Sequence, residues 1–283
     1  MIRSSVTIAL VPQIKTGPWI FWEDLEAGIT KAAKLGFDAI ELFTSSADAI
    51  DSERLLGLLE QYELKLAAVG TGAGKVIHGL TLTDADPEIR KKAVSFVLDM
   101  ISFGATFGAP AIIGSMQGNI LPGMDREQVM TWLADGLNKL GNHAGFLGVP
   151  LIYEPLNRYE TNLLNTLEAG ATFIDTLKTK NVKLLADLFH MNIEEADLAE
   201  SIYNFGSYIG HVHFADSNRR PIGFGHTEMA TIASALKEIE YSGFVSAEAF
   251  PYPDPDAAAM QTILAFKKYF SHTKREEINS LHL

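Results

Sequence analysis

The sequence predicts a closed (β/α)8 barrel of parallel strands, on three observations. Eight short apolar runs begin near residues 6, 37, 64, 110, 149, 182, 210 and 244, and segments with helical spacing of apolar residues fill the intervals. Those intervals are too long for hairpins, so successive runs must be parallel strands joined by helical crossovers. A chain of 283 residues with 47% hydrophobic content has the length and the apolar material for one such barrel. A single domain over 1–283 is therefore expected. Its polar tail, 271–283, either finishes the last helix or lies against a partner subunit.

The first strand is read at 6–11. The connection 12–23 carries Trp19, Phe21 and Trp22. The two tryptophans either wall an apolar side of a pocket, or cap the barrel rim or a subunit contact. Leu25, Ile29, Ala32 and Ala33 mark a helix over 24–35 that Gly36 ends, and 37–43 is the second strand. Glu41 near its end reads as a structural or supporting acid, outside the direct ligand set. A helix at 52–62 and a strand at 64–69 follow. The glycine-rich 70–74 lacks the spacing of a dinucleotide fingerprint, so it reads as a flexible loop, with His78 in it facing solvent.

Asp86 before Pro87 marks a sharp helix start for 84–107. A strand at 111–114 and a long amphipathic helix at 124–147 come next, with Trp132 in the helix core and His143 on its outer or packing face. The second half keeps the rhythm. Strands end at Glu154, Asp187, Asp216 and Glu248, with helices near 163–177, 193–205, 227–239 and 255–269.

Composition excludes several function classes. The formal charge of −12 and a pI near 5.1 speak against nucleic acid, which needs a basic face. No cysteine is present, so disulfides, thiolate metal sites and thiol catalysis are out. The first apolar run is too short for a signal-peptide core or a membrane span. A cytoplasmic enzyme is the expectation.

The chemistry lies in how four successive strands finish. Residues 151–154 are an apolar run ending on Glu154, and Pro155 then stops the sheet ladder. The runs 182–187, 210–213 and 244–248 end likewise on Asp187, His213 and Glu248. In a parallel barrel the strand C-termini face substrate. Three carboxylates and an imidazole form an oxygen-rich donor set suited to Mn²⁺, Mg²⁺ or Co²⁺, and the acids would repel one another without a cation. His211 lies two residues before His213, on the same strand face and one layer deeper, where it would orient a ligand.

The segments 154–162 (EPLNRYETN), 187–190 (DLFH), 211–219 (HVHFADSNR) and 248–250 (EAF) resemble the xylose isomerase-like sugar isomerase/epimerase superfamily, and within it the D-tagatose 3-epimerase group. The resemblance is specific only over 154–250. It implies that Glu154, Asp187, His213 and Glu248 bind one divalent ion, usually manganese, and that Glu154 and Glu248 are the acid–base pair. It further implies that Glu160, His190 and Arg219 contact the sugar near its carbonyl and that Phe250 is an apolar pocket residue. Asn157 and Arg158 match the motif without an assigned role. The implied reaction is ketose 3-epimerisation, with a proton removed and returned through a metal-stabilised enediolate. Its neighbours are an aldose–ketose isomerase of the hydroxypyruvate isomerase type and a keto-polyol dehydratase. A barrel that binds sugar without turning it over is the non-enzymatic alternative.

The implied partner is a small sugar or sugar phosphate, with no nucleic acid or membrane, and a homodimer or homotetramer is the implied assembly. One departure is 221–228 (PIGFGHTE), which places Thr227-Glu228 where an Asp often follows and leaves His226 without an assigned role.

Overall fold

The computed structural model describes residues 1–14, 16–22 and 24–271. The first half runs β1 (Arg3–Leu10), β2 (Phe21–Trp22), α1 (Leu25–Leu35), β3 (Ala39–Thr44), α2 (Ser52–Gln61), β4 (Lys65–Gly70), α3 (Ala73–His78), α4 (Pro87–Thr106), β5 (Ala111–Ile113) and α5 (Arg126–Phe146). The second runs β6 (Leu151–Tyr153), α6 (Leu167–Thr176), β7 (Val182–Asp187), α7 (Leu188–Glu194), α8 (Leu198–Phe205), β8 (Ile209–His213), α9 (Met229–Glu238), β9 (Phe244–Ala247) and α10 (Pro255–Phe270). Every pairing is parallel, and β9 returns to β1 with Ser246 opposite Ser5, closing a barrel of β1 and β3–β9. The two-residue β2 pairs only with β1. The eight-stranded (β/α)8 barrel read from the sequence is the fold.

Most of the helices start on an aspartate. Asp24, Asp51, Asp86, Asp125, Asp197 and Asp254 each accept a hydrogen bond from an amide of the helix they precede. Such a cap contributes about 1 kcal/mol. Pro87 and Pro255 occupy first-turn positions where a missing N–H costs nothing. Gly36 closes α1 at φ 83°, a left-handed conformation that suits glycine.

Three local expectations need correction. The first strand starts at Arg3, not 6, because Ser4 pairs with Asp38: Ser4 N and Oγ both donate to Asp38 Oδ2, at 2.7 and 2.8 Å. The glycine-rich 70–78 region is not a flexible loop; Ala73–His78 is helical and ends at Gly79 in the left-handed region, φ 67°. The helix read at 193–205 is two helices, α7 and α8, capped separately by Asp187 and Asp197. The reading of the tail lies outside the described residues beyond Ser271.

The barrel interior is divided. Ala68, Ile112, Ile152 and Leu185, one from each of β4–β7, form an apolar cluster apart from the main core. Their strand neighbours Val69, Ile113, Tyr153 and Leu184 belong to the core under the helices, so the two sets sit on opposite strand faces. On the other side of the barrel, Ser5, Thr7, Glu41, His211, His213 and Ser246 are buried polar groups of β1, β3, β8 and β9. Polar residues in a barrel core are expensive unless paired, so this half of the interior is organised around chemistry.

Candidate active site

Strand ends place the donors. Glu154 follows β6, Asp187 ends β7, His213 ends β8 and Glu248 follows β9. One ligand atom from each can be chosen so that all four lie within 4.8 Å of one another. His213 Nδ1 is the hub, 3.1 Å from Asp187 Oδ2, 3.4 Å from Glu248 Oε2 and 3.5 Å from Glu154 Oε1. Asp187 divides its oxygens: Oδ1 accepts from Phe189 N and His190 N at the start of α7, and Oδ2 faces His213. The helix cap thus fixes the carboxylate rotamer.

The arrangement fits a divalent cation. Glu154 is 6% exposed, and its Oε1 is buried without a hydrogen-bond partner. Burial pushes the Glu154 carboxyl up to about 7 against the pull of His213, with Glu248 and Asp187 adding repulsion. Burial raises Glu248 as well, although His213 and Arg219 oppose it. Burial disfavours a charged His213, yet Glu41, Glu248, Asp187 and Glu154 together lift its pKa well above the usual imidazole range. The acids therefore draw in positive charge, and three carboxylates with one nitrogen are a donor set for Mn²⁺, Mg²⁺ or Co²⁺.

A cavity of about 390 Å³ opens over these groups. His190 and Arg219 line it, both buried. Burial lowers the His190 pKa to about 3 despite Asp187, so the ring is neutral. Its Nδ1 lies 3.2 Å from Asn157 N and its Nε2 lies 3.1 Å from Arg219 Nη1, so a donor faces each ring nitrogen, and Nε2 is also 3.7 Å from Glu154 Oε1. Arg219 contacts Glu248 Oε2 directly and lies 3.2 Å from Asp187 Oδ2. Its backbone is left-handed, φ 56°, an uncommon conformation for a side chain of this size. The loop that imposes it is pinned by Asp216, whose carboxylate accepts from Ser217, Gly223, Gly225 and Thr227 amides at 2.7–3.0 Å.

Glu160 and Phe250 reach the cavity from its rim. Phe250 is 42% exposed and Glu160 is also exposed. Asn157 bridges His190 and Glu160, donating to Glu160 Oε1 at 3.0 Å. Arg158 turns away and pairs with Glu194 at 2.9 Å. Trp19 is buried, stacks on Phe43 at 4.2 Å between ring centroids and lines the cavity, so it forms pocket wall. Trp22 meets Trp19 edge-on behind it. His226 and His78 are exposed, and His143 contacts Ser102 Oγ at 3.0 Å between α4 and α5. Trp132 is only partly buried, under Arg90 at 4.0 Å, not a helix-core residue as expected.

Sequence reasoning missed Thr7, Gly114 and Gln117. Thr7 lines the cavity beside Glu41. Gly114 lies against Glu154, where a Cβ would overlap Oε2. Gln117 donates to the carbonyl oxygens of Gly114 and Glu154, at 3.0 and 2.9 Å. The one available signal was the glycine directly after a strand.

Comparison with known proteins gives a consistent result. The family described as xylose isomerase-like TIM barrel matches residues 29–269. A D-psicose 3-epimerase of Ruminiclostridium cellulolyticum is 32% identical over 239 residues, 81% of this chain and 80% of that protein. An L-ribulose 3-epimerase of a Methylomonas species is 29% identical over 242 residues, 84% of this chain and 83% of that protein. Among solved structures, an L-ribulose 3-epimerase superposes with a TM-score of 0.81 at 25% identity, covering 100% of this chain and 99% of that one.

Proposed function

The chain belongs to the xylose isomerase-like TIM barrel family, and from that premise we propose that it is a metal-dependent ketose 3-epimerase, inverting carbon 3 of a ketose sugar. The observation that carries this reading is the convergence of Glu154, Asp187, His213 and Glu248 on one point at the end of the last four strands, beneath an open cavity. These four side chains would hold the ion. When bound, a divalent cation polarises the ketose carbonyl and offsets the negative charge that develops as the neighbouring C–H bond breaks.

The chain's own groups supply the rest. Glu154 and Glu248 act as the acid–base pair: one takes the proton from C3 and the other returns one to the opposite face. They follow β6 and β9, so β7 and β8 separate them around the rim. Both carboxylates line the cavity, where a bound sugar comes within their reach. Arg219, always cationic, and neutral His190, whose Nε2 meets Arg219 Nη1 at 3.1 Å, together position oxygens near the carbonyl. Glu160 accepts a sugar hydroxyl at the rim. Phe250 and Trp19 cover apolar faces of the sugar and limit access of water.

Four finer points belong to the same reading. The ion is manganese, as the family resemblance implies, with magnesium or cobalt as substitutes that the oxygen-rich donor set also suits. The substrate is a free or phosphorylated ketose, and the enzyme is cytoplasmic, working as a homodimer or homotetramer. Among the described residues no helix is long and apolar enough to cross a membrane.

Incubating ketoses in D₂O with the Mn²⁺-loaded protein tests the reaction. Deuterium at carbon 3 together with the 3-epimer is expected. Label at carbon 1 or 2 with aldose formation would mean an aldose–ketose isomerase, and loss of water a keto-polyol dehydratase. E154Q and E248Q are expected to lower turnover by about 10²–10⁴ while staying folded.

A further inference from the structure

Two buried side chains with no part in the reaction above meet the cluster through one atom, Nε2 of His213. Glu41 on β3 is 4% exposed and His211 on β8 is 1% exposed. Glu41 Oε1 lies 3.1 Å from His213 Nε2, and Glu41 Oε2 lies 2.7 Å from His211 Nε2. Each carboxylate oxygen therefore faces a different imidazole, and an ionised carboxylate can only accept. Both imidazoles must donate Nε2–H to it. For His213 this has a consequence at the other end of the ring. With the proton committed to Nε2, the neutral imidazole carries its lone pair on Nδ1, the atom that faces Asp187, Glu154 and Glu248.

We propose that Glu41, itself held by His211, is a positioning residue that fixes the tautomer and ring orientation of His213 with Nδ1 presented to the divalent ion, and thereby sets the affinity of the site. The inference rests on the reading of Glu154, Asp187, His213 and Glu248 as the ion's ligands. Neither Glu41 nor His211 touches the ion; Glu41 acts through His213, and His211 acts through Glu41. Partners of this kind orient the ring and raise its basicity as a ligand. The charge of Glu41 also adds to the negative field at the site. A lone acid inside a barrel would be costly, so the second donor, His211, is what makes the charge tolerable there.

The same three side chains could instead hold a second ion, since their donor atoms also lie within 4.8 Å of one another. The two arrangements respond differently to substitution, and that difference is the test. Mn²⁺ binding would be measured on metal-stripped protein, by chelator competition and by counting ions per chain, for the parent, E41Q, H211Q and H211L. Near-UV circular dichroism would check that each variant folds.

The parent is expected to bind one ion, and E41Q one ion about 10–100-fold more weakly. The reason is specific. A glutamine offers one acceptor oxygen and one NH₂, so only one imidazole keeps its Nε2–H bond: an NH₂ facing His213 moves the proton onto the ligand atom, and an NH₂ facing His211 leaves His213 without the carboxylate charge behind it. H211Q, whose amide can still donate to Glu41, should stay within about threefold of the parent, whereas H211L should weaken binding clearly beyond that. A merely structural role would not separate H211Q from H211L in metal affinity.

If E41Q and H211L bind Mn²⁺ as tightly as a one-ion parent, the positioning role is overturned while the four-ligand site stands. Two ions in the parent, one of them lost in E41Q, would make Glu41 a ligand and overturn it too. A parent that binds no ion removes the premise and the inference together. Should E41Q fail to fold, the H211Q and H211L pair carries the decision alone.

Discussion

Substituting Asp216 with asparagine should release the loop that holds Arg219. In the parent, Asp216 Oδ1 accepts from Ser217 N at 2.8 Å and Thr227 N at 3.0 Å, and Oδ2 accepts from Gly223 N at 2.7 Å and Gly225 N at 2.8 Å. An asparagine keeps one acceptor oxygen and turns an NH₂ toward two amide donors, so two charge-assisted bonds are lost. At about 1.5–3 kcal/mol each the loss is about 3–6 kcal/mol. Residues 223–226 are exposed, and water can replace part of it, which favours the lower end, about 3 kcal/mol. If the opening is local, that converts to exchange of the Gly223, Gly225 and Thr227 amides about 10²-fold faster. Arg219 N donates to Asp216 O at 2.7 Å, so the guanidinium loses its seat, and a displacement of 1 Å can cost about 10²-fold in rate.

The same carboxylate carries a pH signature. Burial would raise its pKa, but the Thr227, Gly223, Ser217 and Gly225 amides hold it below the usual value. A depressed folded-state pKa contributes stability above the unfolded value of about 3.9, and that stability is lost as pH falls through the folded pKa. The parent loop should therefore open only in strong acid, while D216N should show no such acid transition. Hydrogen exchange followed by mass spectrometry reads both effects. Exchange in D216N within twofold of the parent, with kcat/KM unchanged, would refute the reasoning.

Further predictions follow from the same geometry. Metal affinity should rise with pH through about 7, because Glu154, raised to about 7, and His213, raised well above its usual value, must shed protons to act as ligands; affinity that is flat from pH 5.5 to 8.5 by chelator competition would contradict this. G114A should keep the fold yet lower kcat by about 10²-fold, since the new methyl displaces the Glu154 carboxylate; steady-state kinetics with a ketose decides. Y153F removes the hydroxyl that donates to Gln117 Oε1 and leaves that buried oxygen without its partner, for a loss of about 1–3 kcal/mol in urea unfolding. N157A should raise KM more than it lowers kcat, because Asn157 holds His190 and Glu160 in place but touches neither proposed base.

The barrel and the four strand-end side chains that converge at its mouth were legible because both are written in local pattern. Apolar runs that end on Glu154, Asp187, His213 and Glu248 carry their own register, and the interval between runs dictates a parallel crossover. Pairings across the barrel left no such trace. Glu41 reads as one acid near a strand end, and only closure of β9 onto β1 brings it to His211 and His213. Asp187 was legible as a strand end but not as the cap of α7, since no apolar period announces a helix of seven residues. The helix at Ala73–His78 was hidden by glycine, whose low helix propensity is overridden here by packing of Ala73 and Gly74 in the interior. Ser4 was hidden for the opposite reason: a polar residue that looks like a loop is buried because Asp38 satisfies it.

The central claim is that one divalent ion sits among the last four strand ends. Crystals of the Mn²⁺-loaded protein measured at the manganese absorption edge test it most directly. A single anomalous peak per chain is expected, bounded by Glu154, Asp187, His213 and Glu248 and bonded to Nδ1 of His213. A peak anywhere else, or none at saturating Mn²⁺, would contradict it.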